Sequence, residues 1–186
     1  IMEEAHRLER RVVGHVLGTE GIRNAVEAGL DALVHCRWER AGSSRSGGDY
    51  DRTCAERIAA QGIYVDNNLS AQMARIISSP EPQKELERTY SELSYLRDMK
   101  ELGAKMVLCT DAGTSNVPLN HLPLAAEAGV KLLDMTPMEA LLACTSLAAQ
   151  ELGLEGEIGS VEPGKRADLV LVEGNPLEDI KDLTRV

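Results

Sequence analysis

The chain has 186 residues, of which 43% are hydrophobic and 27% charged, and its formal net charge is −10. This length and composition are typical of one soluble domain with room for a small appendage. The negative charge argues against a nucleic-acid partner, because such binding depends on Lys and Arg neutralising phosphates. It argues equally against an anionic membrane surface, and no apolar run in the sequence is long enough to span a bilayer.

The four cysteines form no Cys-x-x-Cys pair, so a zinc knuckle is not expected. Unpaired cysteines favour a reducing compartment, and we therefore predict a cytoplasmic protein. The sequence opens on Ile1 inside a predicted helix, so we expect further residues to precede it.

Short apolar segments alternate with amphipathic segments over most of the chain. The predicted strands are residues 11–16, 31–35, 63–66 and 105–110. The predicted helices are residues 1–9, 20–28, 51–61, 70–77, 83–102, 122–128 and 136–152. This alternation predicts parallel strands joined by helical crossovers, and hence an α/β fold.

Local signals mark the ends of several predicted helices. Thr19 is predicted to cap the helix that follows it, and Thr136 to begin the last helix, with Glu139 completing a capping box. Gly29, Gly62, Gly103 and Gly153 are each predicted to end a helix.

The pattern changes beyond Glu155. A turn at 159–164 and a predicted strand at 167–172 follow, without helices, so we predict a boundary that separates residues 1–154 from residues 155–186. Residues 36–50 are predicted to be a polar loop. Within it Arg37, Trp38 and Arg40 either line a substrate pocket or are simply exposed.

His15, His35 and Asp111 each end a predicted strand. The carboxyl ends of parallel strands carry the functional groups of α/β sheets and barrels. Two imidazoles and a carboxylate suit zinc or a similar divalent ion, and a carboxylate beside such an ion can accept a proton from water. The alternative is that each is an isolated polar residue at the end of its strand.

Two further residues follow the same logic with less force. His121 lies in the loop after Asp111 and either faces the same edge or is a surface histidine. Asn67, with Asn68 beside it, ends the third predicted strand and either contacts substrate or belongs to a turn.

These segments together resemble the amidohydrolase superfamily, most closely its imidazolonepropionase-like and Xaa-Pro dipeptidase-like (prolidase-like) branch. Residues 14–22 are similar to the strand-5 histidine segment and residues 28–35 to the strand-6 histidine segment. Residues 108–113, Leu-Cys-Thr-Asp-Ala-Gly, resemble the strand-8 aspartate motif. Residues 136–141 resemble the helix after the barrel, and residues 159–177 its return into a small β-sandwich.

The resemblance implies the C-terminal half, strands 5–8, of a (β/α)8 TIM-type barrel over residues 1–154, and a partial β-sandwich segment over residues 155–186. It implies one or two divalent metal ions, zinc foremost, that activate water for attack on an amide or cyclic amide C–N bond. By the same resemblance His15 and His35 are metal ligands, and Asp111 is both a ligand and the general base. A dipeptide or another small-molecule amide is the implied substrate.

Two parts of the family pattern have no counterpart in the sequence: the strand-1 His-x-His pair and the strand-4 lysine. We therefore expect a fragment of a larger hydrolase, inactive alone. The alternative is a non-catalytic half-barrel that assembles with itself and binds no metal tightly. A Rossmann-like nucleotide binder is disfavoured, because neither G-x-G-x-x-G nor a P-loop is present. Half a barrel leaves open strand edges, which predicts a homo-oligomer or pairing with the N-terminal half of the same enzyme.

Overall fold

The computed structural model describes residues 1–114 and 117–186. Its strands are β1 Val13–Gly18, β2 Ala32–Glu39, β3 Tyr64–Asn67 and β4 Lys105–Leu108. Its α-helices are α1 Met2–Arg7, α2 Thr19–Ala28, α3 Arg52–Gln61, α4 Ser70–Ser78, α5 Pro82–Glu92, α6 Ser94–Glu101, α7 Leu122–Leu132, α8 Pro137–Cys144 and α9 Ser146–Leu152. A 3-10 helix spans Ile180–Thr184. Among the described residues, none of the helices combines the length and the apolarity that crossing a membrane requires.

The strands form one sheet in the order β1-β2-β3-β4. β1 pairs with β2 and β2 with β3, both in parallel. Neighbouring parallel strands joined through helices are the arrangement that the alternating sequence pattern predicts. The α/β fold with a parallel sheet is therefore confirmed.

The chain folds into two compact units and passes between them more than once. The first unit contains Ile1–Asn67 and Glu92–Val107, and the second contains Asn68–Ser91 and Leu108–Val186. Residues on both sides of Glu155 belong to the second unit. The predicted boundary between residues 1–154 and residues 155–186 therefore stays a prediction.

Aliphatic side chains from the sheet and its covering helices form the core of the first unit. Leu33 on β2 and Val65 on β3 are fully buried, as are Ile22 on α2 and Ile58 on α3. The removal of such side chains from water is the main favourable term in forming a layer of this kind.

The core of the second unit is built around α7, which packs against α4, α8 and the 3-10 helix. Small residues on α7 permit close approach: a Cβ at Gly129 would lie 2.5 Å from Leu108 Cδ1. Leu132 is fully buried, and Ile180 of the 3-10 helix is 5% exposed. Close packing of this kind leaves no room for a larger residue at Gly129.

Most predicted helix ends are confirmed. Gly29, Gly62 and Gly153 follow α2, α3 and α9 in the left-handed conformation, which a residue without Cβ adopts at least cost. Thr136 and Glu139 form the predicted capping box. The predicted cap at Thr19 is wrong: Gly18 precedes α2, and the Thr19 hydroxyl instead donates to Asp49 O at 2.8 Å.

Two predicted helices are interrupted. The segment 83–102 is two helices, α5 and α6, separated by a turn at Leu93, and this turn lets Leu93, Tyr95 and Leu96 all become buried. The segment 136–152 breaks at Thr145, whose hydroxyl donates to the carbonyl oxygen of Leu141 at 2.6 Å. Such bonds from side chain to backbone compete with the helical pattern.

The predicted strand at 167–172 is wrong. The segment lies outside any strand of the described structure, and Leu169, Val170 and Leu171 are 66%, 71% and 89% exposed. High β propensity does not produce a strand without a neighbouring strand to supply hydrogen bonds.

Asp51 begins α3 and should stabilise the fold in a pH-dependent way. Its Oδ1 accepts from Cys54 N at 3.1 Å and its Oδ2 from Arg23 Nε at 2.6 Å. The backbone N–H of Cys54, and then Arg23, hold the pKa of Asp51 below its ordinary value. A lowered folded-state pKa stabilises the fold above the unfolded value, about 3.9, and that stabilisation is lost as the pH falls through the folded value.

We expect Asp51→Ala to lower the free energy of unfolding at pH 7 by about 0.5–2 kcal/mol, the range measured for lost N-caps. Urea unfolding at pH 7 and pH 3 measures it. The difference between wild type and variant should shrink at pH 3, and an equal difference at both pH values would contradict the charge contribution.

Candidate metal centre

His15 and His35 lie on neighbouring parallel strands of the first unit, and their rings are in contact. The ring centroids are 4.4 Å apart with an interplanar angle of 77°, an edge-to-face arrangement. His15 is exposed and His35 is half-buried. The two histidines were predicted to come together, and the structure brings them together.

The strand register alone does not explain this contact. His15 pairs with Val34, and Val16 pairs with His35. Because side chains alternate between the faces of a strand, and paired residues share a face, a regular sheet would put the two histidines on opposite faces.

A bulge at the end of β2 explains how the two histidine rings meet despite this register. The next pair after Val16 and His35 is Gly18 with Glu39, so one residue of β1 stands opposite three residues of β2. Within the bulge, φ is +69° at His35, +45° at Cys36 and +53° at Trp38. Left-handed backbone at residues other than glycine costs on the order of 1–3 kcal/mol each and is concentrated at functional sites. In β2 this left-handed backbone interrupts the alternation of side chains between the two faces of the sheet.

The loop predicted at 36–50 is therefore shorter than expected, because β2 continues to Glu39. Trp38 is fully buried, so both predicted roles for its side chain, pocket lining and exposed loop, are wrong. Arg37 is half-exposed and binds Glu39 Oε1 at 3.0 Å and Ser46 Oγ at 2.9 Å. Arg40 is exposed. Nothing in the sequence of 35–38 signals the bulge, because the segment contains no Gly, Asn or Asp.

Asp111 follows β4 and belongs to the second unit. Its φ is +58°, and its carbonyl oxygen accepts from Thr114 Oγ1 at 3.1 Å. Asn68 Nδ2 donates to Asp111 Oδ2 at 3.4 Å. On the preceding residue, Thr110 Oγ1 accepts from Ala112 N at 3.1 Å. Asp111 thus lies in a hydrogen-bonded turn, and its carboxylate is exposed.

Asn67 and His121, the two predicted substrate residues, each have a buried polar atom. Asn67 is 1% exposed, and its Nδ2 donates to Val65 O at 3.0 Å. Its Oδ1 and His121 Nδ1 are buried atoms without a hydrogen-bond partner in the described structure. His121 directly precedes α7. Buried polar atoms of this kind need an explanation, and a substrate role for either residue stays a prediction.

The histidine pair fits a divalent ion in donor type, because neutral imidazole is a common zinc ligand. Open zinc sites take about three protein ligands, and the pair supplies two. Within the part of the chain that the structure describes, no three His, Cys, Asp or Glu side chains are grouped to hold an ion. The pair is therefore a partial site that needs at least one further ligand.

Comparison with known proteins identifies the family. The sequence model of the Amidohydrolase family matches residues 1–186. The chain belongs to the amidohydrolase family. This confirms the family predicted from the histidine and aspartate segments.

Several amidohydrolases are similar to this chain. The ochratoxinase of Aspergillus niger is 29% identical over 191 residues, which cover 97% of this chain and 36% of that protein. The imidazolonepropionase of Geobacillus sp. (strain WCH70) is 43% identical over 77 residues, which cover 41% of this chain and 18% of that protein. The solved structure of a Xaa-Pro dipeptidase with bound methionine in the active site has a TM-score of 0.71 and 27% identity. That match covers 98% of this chain and 44% of the dipeptidase.

The chain thus spans 36% of the length of the ochratoxinase and 44% of the dipeptidase. The proteins that this chain resembles in sequence and in fold are thus hydrolases.

Proposed function

We propose that this chain carries part of the catalytic centre of a metal-dependent amidohydrolase that cleaves an amide or cyclic amide C–N bond. The edge-to-face pair of His15 and His35, in a member of the amidohydrolase family, is the observation that carries the proposal. We further propose that residues 1–154 are strands 5–8 of a (β/α)8 barrel and that residues 155–186 belong to a partial β-sandwich.

In this proposal His15 and His35 hold a divalent ion, zinc foremost, through imidazole nitrogens. Asp111 is the third ligand and the general base; its place in the turn after β4 and its family resemblance support this role. A bound ion would lower the pKa of water and polarise the amide carbonyl group. Imidazole binds such an ion through a ring nitrogen that carries no proton.

The exposure of the Asp111 carboxylate supports a role as proton acceptor, because water can reach it. One of its oxygens, Oδ2, accepts from Asn68 Nδ2 at 3.4 Å. In this role the carboxylate would accept a proton from water and then pass it to the leaving nitrogen. Carboxylates are common general bases in transfers of this kind.

A dipeptide or a small cyclic amide is the proposed substrate class. The named activities of the similar amidohydrolases support this class: one is a Xaa-Pro dipeptidase and another is an imidazolonepropionase.

The 186-residue chain by itself should hydrolyse dipeptides no faster than a buffer blank. The reason is that the family's His-x-His pair and lysine, which resemblance assigns to the same centre, are absent from this sequence. The measurement is dipeptide hydrolysis with added zinc. Turnover that Asp111→Ala abolishes would contradict this expectation and show that the residues present suffice.

A non-catalytic half-barrel that self-assembles is the second candidate. Exposed apolar side chains favour it: Val13 on β1 is 49% exposed, although its strand neighbour Ala32 is fully buried. β1 is also an edge strand of the sheet in the described structure, and soluble proteins usually cover or blunt an open edge and the apolar surface beside it.

We expect the chain to sediment as a homodimer or larger oligomer at micromolar concentration, because a self-complementary two-fold contact is the commonest way to cover such surface. Sedimentation velocity with and without zinc measures this. A folded monomer in both conditions would contradict it and would favour pairing with the N-terminal half of the same enzyme.

A further inference from the structure

We propose that Trp38 is a positioning residue that holds His35 beside His15 by anchoring the left-handed bulge at residues 35–38. The inference rests on the proposed function, in that it treats the two histidines as the ion-binding pair. Trp38 itself would touch neither the ion nor the substrate.

The bulge needs an anchor because its backbone is unfavourable. His35, Cys36 and Trp38 all have positive φ, which side chains with a Cβ rarely adopt. If these residues relaxed to extended backbone, the alternation of faces would turn His35 away from His15. Strain of this kind persists only where the surrounding structure fixes it.

The Trp38 side chain provides a strong fixed point. It is fully buried, and its Nε1–H donates to Met99 Sδ at 3.3 Å. Its ring packs edge-to-face against Tyr50, with ring centroids 5.3 Å apart and an interplanar angle of 89°. A buried tryptophan with both its ring and its N–H satisfied has few alternative positions.

Residues in the loop after β2 form hydrogen bonds with the backbone of the bulge. Gly47 N donates to Arg37 O at 2.7 Å, and Asp49 N donates to Trp38 O at 3.0 Å. Asp49 O in turn accepts from the hydroxyl of Thr19, the first residue after β1. The bulge is thus connected, through Asp49, to the residue that directly follows the strand carrying His15.

The sequence has four histidines, which makes selective histidine labelling a simple probe. In the 186-residue chain, nuclear Overhauser contacts between the imidazole protons of His15 and His35 report the pair directly, without any metal. A titration with Zn²⁺ alone then reports whether both rings respond together.

Trp38→Leu should remove the contact between the rings and weaken Zn²⁺ binding by about 10–100-fold, the usual effect of losing support behind a ligand. Trp38→Phe, which keeps an aromatic ring, should preserve the contact. Ile58→Ala is the matched control, because Ile58 is equally buried in the same unit but lies on α3. It should lower stability and leave the ring contact intact.

Cys36 offers a second test that keeps Trp38. Cys36→Gly accepts positive φ and should keep the pair, whereas the β-branched side chain of Cys36→Val should lose it. If Trp38→Leu does not fold, these two variants still test the premise that the left-handed bulge holds the pair together.

Retention of the ring contact in folded Trp38→Leu, or in Cys36→Val, would overturn the inference, and so would its loss in Ile58→Ala. If the contact behaves as expected and Zn²⁺ leaves both rings unperturbed, the positioning role stands and the proposed metal function fails.

Discussion

Replacing Asp111 with Asn should lower kcat/KM about 10²–10⁴-fold in an active enzyme that contains these residues, the usual loss when a general base is removed. The amide side chain has nearly the same size, so the turn should remain, but it cannot accept a proton from water. Because the base acts in the chemical step, we expect most of the loss in kcat.

Zinc content separates the two roles assigned to Asp111. If Asp111 is mainly a ligand, Asp111→Asn loses zinc and excess zinc restores activity; if it is mainly the base, the variant holds zinc and stays inactive. Asp168→Asn, at an exposed carboxylate in the irregular segment, is the control and should keep full activity. An active Asp111→Asn variant without added zinc would remove Asp111 from the catalytic centre.

Replacing Gly47 with Ala should lower the free energy of unfolding by roughly 2–4 kcal/mol, from two separate causes. The φ of Gly47 is +69°, a conformation that costs a residue with Cβ about 1 kcal/mol or more. The new Cβ would also lie 2.5 Å from Tyr95 Cδ1. Tyr95 is 5% exposed and cannot move away freely, and overpacking of this kind costs about 1–3 kcal/mol.

Gly42 provides a matched control in the same loop. Its φ is +79°, but a Cβ there would meet nothing within 4 Å. Gly42→Ala should therefore lose only the backbone contribution. Urea unfolding of both variants separates the two causes, and equal losses would show that Tyr95 yields to the added methyl group.

The sequence was informative wherever a local signal determines structure. Positive φ at Gly29 and Gly62 follows from the need to end a helix and reverse the chain. The Thr136 capping box depends only on residues three apart. His15 and His35 were predicted to meet because each was expected to end its strand. They do meet, but the predicted strand ends are wrong, because β1 continues to Gly18 and β2 to Glu39.

The features that were not predictable depend on distant parts of the chain. Trp38 was predicted to lie in a polar loop, but its side chain contacts Tyr50 and Met99, and Met99 lies far along the sequence. The segment 167–172 has the composition of a strand but no neighbour to pair with in the described structure. In both cases tertiary contacts override local propensity.

The apolar run at residues 169–172 also bears on how the chain behaves in concentrated solution. Leu-Val-Leu-Val, with no proline and no internal charge, has the composition of cross-β spines. Asp168 and Glu173 flank the run, and stacking identical strands would bring these like charges together. We expect that neutralising both carboxylates would raise the tendency of the run to aggregate, even though both side chains are exposed and lie outside the folded core.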